Sequence, residues 1–242
     1  TKQCSHDTRY IRRLERINPV VSKLKLYAAL LEHWTKMLVG ASYQHVSQGI
    51  GKSFTPGTLA GYYNDLTAKT EWNGPTDDEG IPLAREIDGN VIAPPVMVVQ
   101  KGLGHWDRWF AEGSADHRAS FLTIADWMVQ QQDQHGGWKL RQSLRKTLTG
   151  PYSAMVQGEA LSLTVRAYKL TREEKYLHCA HRALEPLFTS VEEGGTSRRT
   201  PAGIVLEEYP KTPANTVLNG WIFALFGLYD YLLIRRSIEV KS

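Results

Sequence analysis

The chain's 242 residues, 42% of them hydrophobic and 22% charged, are enough to bury a sizeable core, and that balance excludes intrinsic disorder. A formal charge of +4 suits an anionic partner. The basic residues come only in short pairs (Arg12-Arg13, Arg198-Arg199, Arg235-Arg236), with no zinc-finger or RNP pattern, which argues against nucleic acid.

The opening Thr1-Lys2-Gln3-Cys4 is polar and has no signal-peptide pattern. Residues 8–38 read as two helices broken at Asn18-Pro19. Tyr10, Leu14 and Ile17 mark one apolar face, and Leu24, Tyr27, Leu31, Trp34 and Leu38 mark the next, at steps of three and four. Residues 1–60 are therefore predicted to be an N-terminal helical segment, and 61–242 the main domain, with its helices from about residue 95. Residues 40–93 are rich in Gly, Pro, Asn and Asp, and predict loops with a few short strands. Within them Asp77-Asp78-Glu79-Gly80 reads as a polar turn rather than a calcium loop.

Helical periodicity returns after Pro95. Gly102-Leu103-Gly104 lacks the strand and the third glycine of a dinucleotide loop, so it signals no cofactor. Phe121, Ile124, Ala125, Met128 and Gln132 share one face of a helix that His135-Gly136-Gly137 should end. The next helix begins near Tyr152, with Ala154, Leu161, Val165 and Tyr168 on one side; no G-x-S-x-G elbow surrounds Ser153. Tyr176, Ala180, Ala183, Leu184 and Leu187 form the face of another. His178 and His181, three apart with Cys179 between them, lie off that face and read as a solvated face rather than as metal ligands. The two cysteines, Cys4 and Cys179, make no disulfide framework.

The last helix has Thr212 as N-cap and Pro213 at its first position. Val217 to Ile234 is apolar nearly all round. Asn219, Gly220, Gly227 and Asp230 argue against a membrane span, so the segment is predicted to be a core helix enclosed by others. Short loops imply antiparallel neighbours. The fold class predicted is mainly α: an α/α toroid or part of one, after a first half rich in loops and short strands.

Two places carry candidate chemistry. Gln157 faces inward beside Gly158, either as a satisfied core amide or as a partner for a sugar hydroxyl. Glu207-Glu208-Tyr209-Pro210 follows a Gly-rich, arginine-containing loop around Arg198-Arg199 and leads into the most apolar helix, where backbone N–H groups favour anions. Pro210 and Pro213 would hold Tyr209 in place, and Asn219 inside the helix needs a partner. A structural polar network fits these residues as well as a site does. Seven Trp and eleven Tyr are many for this length; such rings line sugar sites and also fill cores.

A family resemblance decides between these readings. Ala125-Asp126-Trp127 through Gln132-Asp133 to Gly136-Gly137-Trp138 is followed by Tyr152-Ser153-Ala154-Met155, Gln157-Gly158 and Arg166-Ala167-Tyr168. Next come Glu207-Glu208-Tyr209-Pro210, Thr212-Pro213 and Val217-Leu218-Asn219-Gly220, and Gly227-Leu228-Tyr229-Asp230 closes the series. In order and spacing these resemble the C-terminal domain of D-glucuronyl C5-epimerases, over roughly residues 115–230. Family members continue into further helices that supply two more active-site tyrosines and an arginine; residues 231–242 hold no counterpart of them.

The resemblance implies an isomerase that inverts C5 of D-glucuronate to L-iduronate within heparosan or N-sulfated heparosan, without a nucleotide cofactor; the residues themselves suggest no metal site. It implies Tyr209 as the catalytic tyrosine, Glu208 as the acid beside it and Asn219 at the substrate. Gln157 and Tyr152 are further substrate-binding candidates. Arg198, Arg199 and Lys101 are candidates for the cation that neutralises the uronate carboxylate. The partner implied is an acidic polysaccharide, and animal members are Golgi-luminal homodimers. The first half, with Tyr62-Tyr63-Asn64-Asp65, looks closer to microbial relatives and leaves the compartment open. Rival readings are a toroid polysaccharide lyase, which makes the same carbanion, and a non-catalytic uronan-binding domain.

Overall fold

A computed structural model of the chain describes Tyr27, Leu31, Trp34, Thr35, Leu38 and Val39, then residues 46–86, 89–140 and 148–239. The chain divides into two compact units, Thr1–Val46 and Ser47–Ser242. In the first, Tyr27, Leu31, Trp34 and Leu38 are helical and exposed. Tyr10, Leu14, Ile17 and Leu24, assigned to the same apolar faces, lie outside the described residues.

The second unit opens with the predicted loops and short strands. Ile50 pairs with Asn64 and Thr76 with Pro82 as isolated bridges, and β1 (Ala84–Arg85) pairs antiparallel with β2 (Val91–Ile92). Asp77 organises the polar turn: its Oδ1 accepts from the backbone N–H of Glu79 (3.0 Å) and Ile81 (2.8 Å). Leu59, Tyr62, Leu66 and Ile81 carry this segment into the core.

Helices follow. α1 (Pro95–Glu112) starts on proline, whose missing N–H is not needed there, and stops at Gly113 in the left-handed region. α2 (Ala115–Gln131) is capped by the Ser114 side chain, which accepts from His117 N–H, and buries Phe121, Ile124, Ala125 and Met128 as their spacing predicts. α3 (Ala154–Thr171) is followed by α4 (Glu174–Arg182) and α5 (Leu184–Phe188). A hairpin of β3 (Ser197–Thr200) and β4 (Gly203–Leu206) precedes α6 (Leu218–Glu239). α1 packs on α2 and α3, and α6 lies along α3.

Four expectations change. First, the enclosed helix is α3, buried without a break from Val156 to Tyr168. α6 instead presents Leu218, Ile222, Leu225, Tyr229 and Leu232 to the outside, each more than a third exposed. Its composition is apolar all round, but only the face toward α3 is covered. Second, α6 begins at Leu218 rather than at Pro213, and the N–H of Gly220 in its first turn is met by the Glu208 carboxylate. Third, α2 ends at Gln131, before the glycines, since Asp133 Oδ1 draws the N–H of His135 (3.0 Å) and Gly137 (3.1 Å) into a turn. Fourth, the Gly- and Arg-containing loop around Arg198-Arg199 is a strand pair. Among the described residues no helix is long and apolar enough to cross a membrane.

The contact of α3 with α6 explains two of the sequence motifs. A Cβ on Gly158 would stand 2.4 Å from Ala224 Cα, and one on Gly227 would stand 2.1 Å from the carbonyl oxygen of Gly158. Only glycine lets the two backbones meet there.

Candidate active site

Residues 207–210 run from the hairpin toward α6 across the start of α3. Glu207 N–H donates to Thr196 O (2.8 Å), Ala154 N–H to Glu207 O (3.0 Å) and Thr149 N–H to Pro210 O (2.7 Å). The hairpin supplies a second clamp. Successive strand side chains alternate in direction, so Arg198 turns inward and Arg199 stays exposed. Arg198 Nε donates to Glu207 Oε1 and its Nη2 to Lys211 O, both at 2.9 Å.

This framework places Glu208 and Tyr209. The Glu208 carboxylate accepts from Gly220 N–H at the start of α6, and the Tyr209 hydroxyl donates to it. Burial pushes the Glu208 carboxyl above its ordinary value, and the two hydrogen bonds pull the other way. Its Oε2 has no hydrogen-bond partner among the described residues. Gly220 gives Glu208 its room, since a Cβ there would lie 2.4 Å from Glu208 Cβ. Glu208 and Tyr209 line a small cavity of about 60 Å³ with Pro95, Lys139, Leu140 and Met155.

Behind this pair, on α3, sits Glu159. It is fully buried; one oxygen accepts from Gln100 Nε2 (2.9 Å) and the other has no partner among the described residues. Burial raises its carboxyl to about 8, against the Gln100 hydrogen bond and the Lys69 charge, and Glu208 adds repulsion. Glu159 and Glu208 are thus both buried carboxyl groups, and the charge of Glu208 further disfavours ionisation of Glu159.

The other candidates are placed as follows. Asn219 is exposed in the first turn of α6, not inside a buried helix, and so has water for a partner. Gln157 is wholly buried; its Nε2 donates to Trp138 O (3.4 Å) and its Oε1 has no hydrogen-bond partner among the described residues. Tyr152 is buried and donates to Asp133 Oδ2 (2.7 Å) beside a second cavity. Arg198 is held by Glu207, as above. Lys101 donates to Gly80 O (2.9 Å) and its ammonium is disfavoured by burial. His178 is exposed and His181 Nδ1 lies 2.9 Å from Tyr231 Oη. No cluster of three or more metal-ligating side chains occurs among the described residues. The geometry therefore joins Tyr209 to Glu208 and leaves the proposed cations elsewhere. Sequence reasoning missed Glu159 and Lys139. The signal for Glu159 was an acid in the middle of the apolar run of α3; Lys139, one residue past Gly-Gly-Trp, had none.

Residues 132–241 match the family model described as the D-glucuronyl C5-epimerase C-terminus. A D-glucuronyl C5-epimerase of Caenorhabditis elegans is 40% identical over 188 residues, which cover 70% of this chain and 30% of the relative. The chain belongs to the D-glucuronyl C5-epimerase family. It carries the C-terminal domain of that family, and spans less than a third of the length of the nematode relative. The part shared with the family model takes in α3, the hairpin, the Glu208–Tyr209 pair and α6. The glycines at the α3–α6 contact and under Glu208 belong to the same region.

Proposed function

We propose that the chain epimerises C5 of D-glucuronate to L-iduronate inside a heparosan-type polysaccharide, with Tyr209 as a proton-transfer group. The observation that carries this reading is the hydrogen bond from the Tyr209 hydroxyl to Glu208 at the edge of a cavity, in a domain of this family. The C5 hydrogen is α to a carboxylate, so its removal builds enolate-like charge that donors or a cation must meet. Inversion requires a base on one face of the sugar and an acid on the other. Tyr209 serves one face, exchanging its hydroxyl proton with C5, and Glu208, which accepts the hydrogen bond of the phenol, aims it. In this reading the helices of the larger unit are a sector of an α/α toroid, and the partner is the acidic polymer.

The test is incubation of heparosan with the protein in D₂O. Deuterium at C5 without chain cleavage supports epimerisation. A new ultraviolet-absorbing double bond would instead mean a lyase. Binding of heparosan with neither change would mean a binding module.

A further inference from the structure

Three cavities of the larger unit meet at one side chain. The largest, about 670 Å³, is lined by Glu86, Trp127, Asp133, Trp138 and Lys139 among others. A second, about 350 Å³, lies between Tyr152, Glu185, Glu193 and Lys139. The third is the small Glu208–Tyr209 pocket, which shares Pro95, Lys139 and Leu140 with the largest. Among the described residues, Lys139 is the sole Lys or Arg lining these cavities, and it lines all three.

We infer that Lys139 is the cation that receives the uronate carboxylate, and that the sugar chain lies in the 670 Å³ cavity with the carboxylate turned toward the Tyr209 pocket. This rests on reading Glu208–Tyr209 as a uronate site. At about 60 Å³ the Tyr209 pocket has room for a carboxylate group, on the order of two water volumes, but not for a whole ring. The ring belongs in the adjoining cavity, where the partly exposed indole of Trp127 offers apolar surface. Charge then fixes the orientation. A carboxylate elsewhere in the larger cavities would face Glu86, Asp133, Glu185 or Glu193, and like charges repel. The Tyr209 pocket has one carboxyl group, Glu208, whose charge is met by the Tyr209 hydroxyl and the Gly220 N–H, and among the described lining residues only Lys139 offers a cation there.

The ammonium is available for this. Its side chain is 49% exposed, and its Nζ is 3.5 Å from Asp133 Oδ2, which uses one of three donors. Asp133 also accepts from Tyr152 and caps the turn after α2, so it is itself fixed and holds the lysine over the junction. Of the cations named from the sequence, Arg198 is held by Glu207 and Lys101 by Gly80 O, and Arg199 is exposed on the hairpin and lines none of the three cavities.

The experiment compares binding of heparosan oligosaccharides with that of the same oligosaccharides after carboxyl reduction, for the parent chain, Lys139→Gln and Lys139→Arg, by calorimetry at low salt. The parent should prefer the carboxylate form by about ten- to a hundredfold, the usual worth of a hydrogen bond to a charged group. Lys139→Gln should lose that preference while binding the reduced, neutral form as the parent does; Lys139→Arg should keep most of it. A Lys139→Gln protein that keeps the full preference, or a parent that has none, overturns the inference. C5 exchange in D₂O is followed in the same samples. Loss of the preference in Lys139→Gln with no exchange in any variant leaves Lys139 as the uronate cation and removes the epimerase reading alone.

Discussion

At the level of single residues, Tyr209 and Glu159 make separable predictions. Tyr209→Phe deletes one oxygen and keeps the ring, so folding survives. If the phenol moves the proton, C5 exchange falls by roughly 10²- to 10⁴-fold with little change in heparosan affinity. A folded Tyr209→Phe protein exchanging at the parent rate would end the assignment. Glu159 speaks through pH. Burial raises its carboxyl from 4.5 to about 8, so the fold favours the protonated form. Its contribution to stability is fully present below about pH 4.5 and declines as pH rises toward 8. Glu159→Gln keeps the shape, and its amide has no proton to lose near neutrality. Chemical denaturation at pH 5 and at pH 8 should show a smaller loss of stability in the variant than in the parent; an equal loss would show that Glu159 ionises freely in the fold.

At the level of elements, an ion pair fastens α3 to α6 and to the loop before α1. Arg166 Nη1 pairs with Asp230 Oδ2, its Nη2 donates to Gly61 O (3.2 Å), and the Tyr63 hydroxyl donates to Asp230 Oδ1 (2.9 Å). Both charged side chains are essentially without solvent, at 1% and 0% exposure. Asp230→Ala leaves the guanidinium buried and uncompensated, and should cost about 3–5 kcal/mol in urea unfolding. A loss under 1 kcal/mol would mean that water reaches Arg166. Arg166 and Asp230 were visible in the sequence only as parts of motifs, because their pairing depends on a contact 64 positions apart. Period and punctuation, by contrast, made α1, α2 and the loop-rich first half legible. What misled was the apolar composition of α6. Hydrophobicity ranks a helix without saying which faces meet a neighbour, and the polar residues of α3 (Glu159, Arg166, Gln157) hid the fact that it is the helix wholly surrounded. The Tyr209–Glu208 pair was legible as a motif; the cation beside it was not, since three loops and helices converge to place Lys139.

At the level of the molecule, a net charge of +4 and an acidic polymer imply that binding weakens as salt rises, because exposed charges are screened over about 8 Å at physiological ionic strength. Heparosan affinity measured from 50 to 300 mM salt should fall steadily; a flat response would leave no role for the exposed basic residues. The larger unit also has a mechanical property, set by the paired glycines. Where Gly158 and Gly227 let two backbones touch, there is no side-chain layer between α3 and α6 to yield. The two helices must open together or not at all, and Glu208, which caps α6 and stands over Glu159 of α3, is carried with them. Amide hydrogen exchange should reveal this as one slow cooperative unit centred on residues 156–166 and 221–230. Gly158→Ala, by wedging the contact, should speed exchange in both helices at once and spare α2. The candidate pocket would then be a rigid notch that waits for its substrate, and the thermal breathing of the protein would be confined to the loops around it.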